Sequence, residues 1–271
     1  MLSDAHTHTD FCDGQNTAEE MVKASLEREL CALGFSGHSY TAFDEDYCMS
    51  RTATAAYRAE IARLKEKYQQ QIALFCGIEQ DFFSCEPTEG YDYIIGSVHY
   101  LYNVACDKYY SVDYTGRQLS ACLVELCGGN EEVFVQKYFE QVAQTAQCLH
   151  PDIIGHFDLL RKLNAHSRFF DENSPAYEQA AKAALRECAA AGCLLELNTG
   201  GVYRGYRKDF YPAERELAYW LKLGGDVIIT SDAHDTTGLC FGFDEARNIL
   251  RELGFERQAV LSERGFVLER L

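Results

Sequence analysis

Most histidines in this sequence lie where short apolar segments end, and several carboxylates occupy the same kind of position. The clearest case is the pair His6 and His8 behind the opening residues. The whole set contains six of the eight histidines and comprises His6, His8, His38, His99, His156 and His234 with Glu79, Glu196, Asn198 and Asp232. Imidazole nitrogens and carboxylate oxygens are common ligands of zinc, manganese and iron. The pattern therefore indicates a metal site.

Six imidazoles are too many for one ion. A catalytic zinc takes about three protein ligands and keeps a position for water, so this inventory predicts two or three divalent ions. Zinc, manganese and iron suit it comparably. Glu79 or Asp232 could bridge two ions, because a carboxylate has two oxygens. Two ions about 3.5–4 Å apart lower the pKa of a shared water and hold the attacking and leaving oxygens, which favours hydrolysis of a phosphate ester.

Apolar and amphipathic segments alternate along the chain, which is typical of α/β proteins with a parallel sheet. Residues two apart on a strand share a face, so His6 and His8 point to one place. Strands are predicted over 2–8, 32–38, 72–79, 91–99, 151–156, 193–198 and 226–231, with a short extra strand over 265–268. Helices are predicted over 17–30, 51–71, 131–147, 174–192, 212–223 and 243–253.

About seven βα units predict an α/β fold of the distorted (β/α)7 TIM-like barrel type, forming a single domain over residues 1–271. A doubly wound open sheet is the alternative. All C-terminal strand ends of a parallel barrel face one rim, so the ligand-type residues should converge there. The tyrosine-rich residues 100–130 are expected to be irregular. Their rings would either cover a substrate or pack against the rim.

Composition limits the choice of partners. The net charge of −17 argues against a nucleic-acid partner and an anionic membrane surface, but it allows a small anionic substrate beside metal ions. The 12 cysteines contain no CxxC pair. We expect no signal peptide and no membrane span, and therefore a cytoplasmic protein with reduced thiols. Cys12 lies beside the predicted site.

Combined motifs in the chain resemble the PHP (polymerase and histidinol phosphatase) superfamily, most closely its histidinol-phosphatase branch. They run over most of the chain and are His6-Thr7-His8, Asp13-Gly14, Gly37-His38, Glu79, Gly96-Ser97-Val98-His99, Gly155-His156-Phe157-Asp158, Asn198-Thr199-Gly200 and Ser231-Asp232-Ala233-His234. The resemblance implies a distorted (β/α)7 barrel with a trinuclear metal centre.

The same resemblance implies a ligand set for each ion. The first ion would be held by His6, His8, Glu79 and Asp232. Glu79 would bridge to a second ion held by His99 and His156. A third would be held by Asp13, His38 and His234, with Asp10 as the alternative to Asp13.

The resemblance also implies how substrate is handled. A hydroxide that bridges two metals would attack phosphorus in line, while Arg161 and Arg204 hold the phosphoryl oxygens, because a guanidinium makes paired hydrogen bonds to phosphate. Asn198 is expected to contact substrate, and Arg207 is a second choice to Arg204. The leaving group would take its proton from Asp232, His234 or a metal-bound water. A substrate amino group would need a carboxylate such as Asp158 or Glu196.

Hydrolysis of L-histidinol phosphate, a late step of histidine biosynthesis, is the function this resemblance implies. One alternative keeps the metal site but assigns another small phosphate ester or a phosphodiester. A second alternative is a catalytically silent metal-binding domain, whose expected mark is a lost ligand. No ligand position is obviously lost here. The sequence does not indicate an oligomeric state.

Overall fold

Short parallel strands alternate with helices, and the computed structural model describes all residues from 1 to 271. The strands are β1 Ser3–Asp4, β2 Ala32–Phe35, β3 Ala73–Cys76, β4 Ile78–Asp81, β5 Ile94–Ser97, β6 Tyr100–Asn103, β7 Lys108–Ser111, β8 Ile153–Ile154, β9 Leu194–Asn198, β10 Val227–Thr230, β11 Arg257–Ser262 and β12 Gly265–Arg270. The helices are α1 Ala18–Glu27, α2 Arg51–Tyr68, α3 Gly116–Ala121, α4 Glu131–Leu149, α5 Pro175–Ala191, α6 Gly200–Tyr203, α7 Glu214–Lys222 and α8 Phe243–Leu253.

Eight parallel strands form a ring that closes at its C-terminal rim. Since β3 and β4 follow each other directly along the chain, the ring has seven strand positions. β1, β2 and β3 pair in parallel in one sheet, and β4, β5, β8, β9 and β10 pair in parallel in another. Single parallel bridges join the two sheets on both sides, one between Thr7 and Ala233 and one between His38 and Glu79. The distorted (β/α)7 barrel expected from the sequence is confirmed, in place of a doubly wound open sheet.

Gly77 divides what the sequence presented as one strand over 72–79. β3 before it pairs with β2, whereas β4 after it pairs with β5. The ring of Tyr93 fills the space beside Gly77, and its hydroxyl donates to the carbonyls of Ala5 at 2.5 Å and Phe35 at 3.2 Å. The predicted single strand is therefore wrong, and the break turns Glu79 toward the rim beside His38.

Residues 100–130 are more regular than the sequence suggested. β6 and β7 form an antiparallel hairpin, and α3 continues into one π-helical turn over Cys122–Leu126. The aromatic residues of this segment pack against other rings, and Phe43 stacks on Tyr109 with ring centroids 3.6 Å apart. Their spacing in the sequence did not indicate the hairpin. The sequence also missed β11, which pairs in parallel with β10 and antiparallel with the C-terminal strand β12.

Local sequence signals set the helix ends. Thr17 and Glu20 form the expected capping box of α1, and Ser174 caps α5 ahead of Pro175. Gly192 ends α5 with φ 78°, a left-handed conformation that glycine adopts without strain. None of the helices has the length and apolar character that crossing a membrane requires.

The contact between Gly77 and Tyr93 generates a prediction about stability. A Cβ at position 77 would lie 2.3 Å from Tyr93 Cζ, and a fully buried ring that anchors two carbonyls has little freedom to move. We expect Gly77→Ala to lower the free energy of unfolding by about 1–3 kcal/mol, the usual cost of overpacking. Urea denaturation followed by circular dichroism measures it.

Gly116→Ala is the matched control. A Cβ there would meet Phe169 at an ordinary 3.4 Å, and the residue opens a helix, where alanine is favoured. Its stability should change by less than about 1 kcal/mol. Equal losses in the two variants would contradict the role assigned to the Tyr93 contact.

Candidate metal centre

Glu79 on β4 lies at the middle of the histidine cluster, and its side chain is 1% exposed. Its Oε2 lies 2.8 Å from His38 Nδ1, 3.3 Å from His6 Nε2 and 3.5 Å from His8 Nε2. The closure of the barrel brings these residues together, because β1, β2 and β4 are adjacent at the seam.

The other oxygen of Glu79 faces a second pair of histidines. Oε1 lies 2.9 Å from His156 Nε2 and 3.4 Å from His99 Nε2, and it accepts a hydrogen bond of 2.7 Å from Ser97 Oγ. The two oxygens thus face different histidines, which is the arrangement a bridging carboxylate needs.

Asp232 completes the group around His6 and His8. Its Oδ1 lies 3.2 Å from His8 Nε2 and 3.6 Å from His6 Nε2. The backbone of Asp232 has φ 50°, in the left-handed region that aspartate tolerates better than most residues. With Glu79, these are the residues that the resemblance implies for the first ion, and they lie together; their role as ligands stays a prediction.

Asp13 lies among the histidines of the third ligand group. Its Oδ2 lies 3.2 Å from His234 Nε2, and its Oδ1 lies 3.7 Å from His38 Nε2 and 3.6 Å from His8 Nδ1. Asp10, the alternative, is exposed and belongs to none of the ligand groups. His38 faces both Glu79 and Asp13 through opposite ring nitrogens, so it could serve either ion.

Cys12 lies beside this third group, with its Sγ 3.6 Å from His8 Nδ1. Burial, together with the charge of Asp13, raises the pKa of the thiol to about 12. Without a bound metal, the group is therefore a neutral thiol at ordinary pH.

Two nitrogen atoms at the centre lack hydrogen-bond partners although they are fully buried, and both face Glu79 Oε2. They are His6 Nε2 and His8 Nε2. An unpaired buried polar atom is costly, and these two nitrogens face one carboxylate oxygen. Nitrogen and oxygen lone pairs that converge in this way fit divalent metal ions, which would bind in the three overlapping ligand groups.

The charges of the cluster are arranged around its carboxylates. Burial disfavours an ionised Glu79, but His38 and His6 outweigh burial and hold the pKa of Glu79 well below its usual range. Arg204 and His6 do the same for the pKa of Asp232. Burial and the neighbouring His234 and His38 lower the pKa of His8 to about 3. Glu79 and Asp232 therefore stay ionised. Burial opposes a charge on His6, but Glu196 and Asp232 outweigh burial and raise the pKa of His6 well above its usual range, so a metal ion would have to replace that proton.

One side of the cluster is open to solvent. The side chains of His6 and His8 are 0% exposed, whereas those of Asp13, Arg204 and His234 are 31%, 24% and 20% exposed. The centre is therefore most accessible from the side of these three residues.

Arg204 lies on this open side. Its Nη2 donates to Asp232 Oδ2 at 2.8 Å, and its Nη1 donates to the Asp232 carbonyl at 2.7 Å. Nη1 also lies 2.9 Å from His234 Nδ1. Of the residues expected to bind substrate, Arg204 is the one that the structure brings to the metal ligands.

Arg161 and Asn198 are placed differently. Arg161 is buried in a cage of carboxylates and donates to Asp158 at 2.8 Å, to Glu172 at 2.9 Å and to Asp209. Asn198 is fully buried, and its amide donates to Glu196 while its oxygen accepts from the Gly200 backbone. None of the side-chain partners of either residue is a predicted metal ligand.

Three residues near the centre were not singled out from the sequence. Asp81 is buried and accepts from the His99 amide at 2.9 Å. Its position two residues after Glu79 on one strand was a usable signal, since the two share a face. Asp113 pairs with Lys162 at 2.8 Å. It follows Val112, whose backbone amide donates to the His99 carbonyl. This ion pair joins the hairpin to a distant turn, and sequence spacing carries no sign of it.

Aromatic rings flank the centre beside His38. Tyr47 lies edge-on to His38 with centroids 4.8 Å apart, and it also approaches His99 and Tyr100. The hairpin of β6 and β7 therefore packs its rings against the segment that carries Tyr47. Packing against the rim is one of the two roles considered for residues 100–130. The other role, covering a substrate, stays a prediction.

The fold and the cluster together define the class of the protein, a seven-unit α/β barrel with histidines and carboxylates converging at its C-terminal rim. The sequence profile of the PHP domain matches residues 4–200, so the chain belongs to the PHP domain family. The resemblance drawn from the motifs is confirmed.

Relatives cover nearly the whole chain. A protein of Deinococcus radiodurans named a probable histidinol-phosphatase is 29% identical, over 93% of this chain and 94% of its own length. The histidinol-phosphatase of Bacillus subtilis is 25% identical, over 89% of this chain and 96% of its own. The crystal structure of the Lactococcus lactis histidinol phosphate phosphatase, complexed with Zn, L-histidinol and phosphate, is 20% identical and superimposes with a TM-score of 0.71 over 98% of both chains. This last similarity establishes the shared fold.

The central position of Glu79 leads to a prediction about metal content. Because its two oxygens face five imidazoles, Glu79→Gln should reduce the metal bound per purified chain by at least about one ion. His150→Asn should leave it unchanged, because His150 is an exposed left-handed helix cap that asparagine can replace. Elemental analysis after gel filtration measures both. Wild-type metal content in Glu79→Gln would rule out the bridging position.

Glu216 is buried near Asp158 and Arg161, and its pKa leads to a prediction about how stability depends on pH. Burial, together with the nearby Asp158, raises the pKa of Glu216 to about 7. A carboxyl with a raised folded pKa stabilises the fold fully below its unfolded pKa, and that contribution is lost as the pH rises through 7. Glu216→Gln should therefore raise the free energy of unfolding at pH 8 by about 1–3 kcal/mol, with a much smaller effect at pH 5.

Urea denaturation at the two pH values tests this expectation. Glu214→Gln, at an exposed position of the same helix, should change stability by less than about 0.5 kcal/mol at either pH. An effect of Glu216→Gln that is the same at pH 5 and pH 8 would contradict the raised pKa.

Proposed function

We propose that the protein is a metal-dependent phosphomonoesterase that hydrolyses L-histidinol phosphate to L-histidinol and phosphate. The observation that carries the proposal is the convergence of all nine predicted ligands at one rim, grouped around Glu79, Asp232 and Asp13. Relatives named histidinol-phosphatase, aligned over about nine-tenths of the chain, support the substrate.

Two or three zinc, manganese or iron ions bound in these groups would supply positive charge to the phosphoryl oxygens and acidity to a water molecule. The chain supplies the geometry. Arg204 would hold the entering phosphoryl group at the open side, since Asp232 fixes one edge of its guanidinium. His234 lies beside it, partly exposed, where its Nε2 would hold an ion together with Asp13.

The carboxylates first considered for a substrate amino group are not available for that task. Asp158 is fully buried against Arg161, and Glu196 is fully buried against His6. The amino group would therefore need another partner. The expectations of a cytoplasmic location and of no nucleic-acid partner stay predictions, which the net charge of −17 supports in the second case.

Phosphate release tests the proposal. Wild-type protein of determined metal content is assayed with L-histidinol phosphate, other monoesters and a phosphodiester. We expect kcat/KM to favour L-histidinol phosphate by at least about 100-fold. His99→Ala should lower kcat at least about 100-fold, because it removes a predicted ligand of the second ion, whose positive charge would stabilise the transition state. His150→Asn should match the wild type.

The other outcomes separate the alternatives. Preference for another ester would keep the metal chemistry and discard the substrate. Absence of turnover with fewer than two ions per chain would discard catalysis in favour of a silent domain.

A further inference from the structure

Glu196 on β9 has no exposed surface, and all of its hydrogen bonds are made inside the protein. Its Oε1 lies 2.5 Å from His6 Nδ1 and accepts from Thr230 Oγ1 at 2.6 Å. Its Oε2 accepts from Asn198 Nδ2 at 3.0 Å and from the backbone amide of His156. Four donors thus converge on one side chain.

Only a carboxylate satisfies this set. An ionised carboxylate accepts at both oxygens, whereas a glutamine has one accepting oxygen and presents an NH₂ group at the other position. That NH₂ would face two donors, and solvent could not separate them because the side chain is fully buried. The four contacts therefore account for the presence of a charged residue at this depth.

The contact fixes the proton of His6. A carboxylate accepts and does not donate, so the proton of a neutral imidazole stays on Nδ1 and its lone pair stays on Nε2. That Nε2 is the atom 3.3 Å from Glu79 Oε2 and 3.6 Å from Asp232 Oδ1, and it has no hydrogen-bond partner. The lone pair is thereby aimed at the first ligand group.

The second oxygen acts on a different ligand group. By holding the backbone amide of His156, it sets the position of a ring whose Nε2 lies 2.9 Å from Glu79 Oε1. One carboxylate therefore holds His6 of the first group through its side chain and His156 of the second group through its backbone.

We propose that Glu196 is a positioning residue that couples the first and second metal sites. The inference rests on the metal centre proposed above and does not depend on the identity of the substrate. Partners of metal-bound histidines typically change metal affinity by about 10–100-fold when they are removed. Because Glu196 serves two groups, its loss should weaken two ions together rather than one.

Zinc affinity tests the proposal without any assay of activity. Wild-type and Glu196→Gln proteins are stripped of metal and titrated with zinc in competition with a coloured chelator. Glu196→Gln should weaken at least two binding steps by about 10–100-fold each. Thr230→Val removes a single neutral donor to the same oxygen, so it should change each step by less than about fivefold.

A nitrogen-15 spectrum supplies a second readout. The zinc-loaded wild type should show one histidine with a strongly hydrogen-bonded Nδ1 proton, and this signal should be lost or shifted in Glu196→Gln. A residue that only supports folding would move the unfolding temperature and leave this signal and the zinc affinity unchanged.

The results distinguish this inference from the proposed function. A wild type that binds two or more ions, with equal affinities in Glu196→Gln, would overturn the role of Glu196 and leave the metal centre standing. A wild type that binds fewer than two would overturn both. If Glu196→Gln does not fold, Glu196→Asp keeps the charge but shortens its reach, and unchanged zinc affinity in that variant would overturn the inference.

Discussion

The structure depends on keeping one ionised carboxylate, that of Glu79, in a fully buried position. Removing such a charge from water is expensive unless partners surround it. Five imidazoles meet its two oxygens, and they come from both sheets and both sides of the seam. The break at Gly77 and the bridge between His38 and Glu79 are the features that bring the carboxylate there. The contacts that close the barrel and those that assemble the site consequently involve the same residues.

A second layer of buried carboxylates holds the backbone around this centre. Glu196 and Asp81 each accept from the amide of a histidine in the cluster. Asp4 at the end of β1 accepts from the amides of Ser231 and Cys240, and so ties the first strand to the turn that carries Asp232. Buried carboxylates at these places restrain the strand ends more tightly than single backbone bridges could. The resulting rigidity suits ligands that must keep fixed separations.

The sequence predicted the parts of the fold that depend on local pattern. Apolar segments that end on histidine or aspartate located the strands and their shared rim, and caps such as Thr17 and Ser174 located helix starts. It did not predict the split at Gly77, because the residue that requires it, Tyr93, lies 16 positions away in sequence, just before β5. β11 was missed for a similar reason, since its partners are β10 and the C-terminal strand. Contacts between distant segments leave no periodic trace in either case.

The same distinction, between local pattern and contacts of distant segments, applies to the site residues. Ligands at strand ends could be named because strand geometry alone brings them to the rim. Arg161 followed a strand end just as Arg204 did, and no local pattern separated the two. What separates them is tertiary: Arg204 meets Asp232 and stays 24% exposed, whereas Arg161 is 3% exposed and its guanidinium is occupied by three carboxylates. For Arg161 to bind a phosphoryl group, the anion would have to displace those carboxylates from a buried cation. The open side beside Asp13, Arg204 and His234 needs no such exchange, so Arg204 is the better placed of the two arginines to meet an anion.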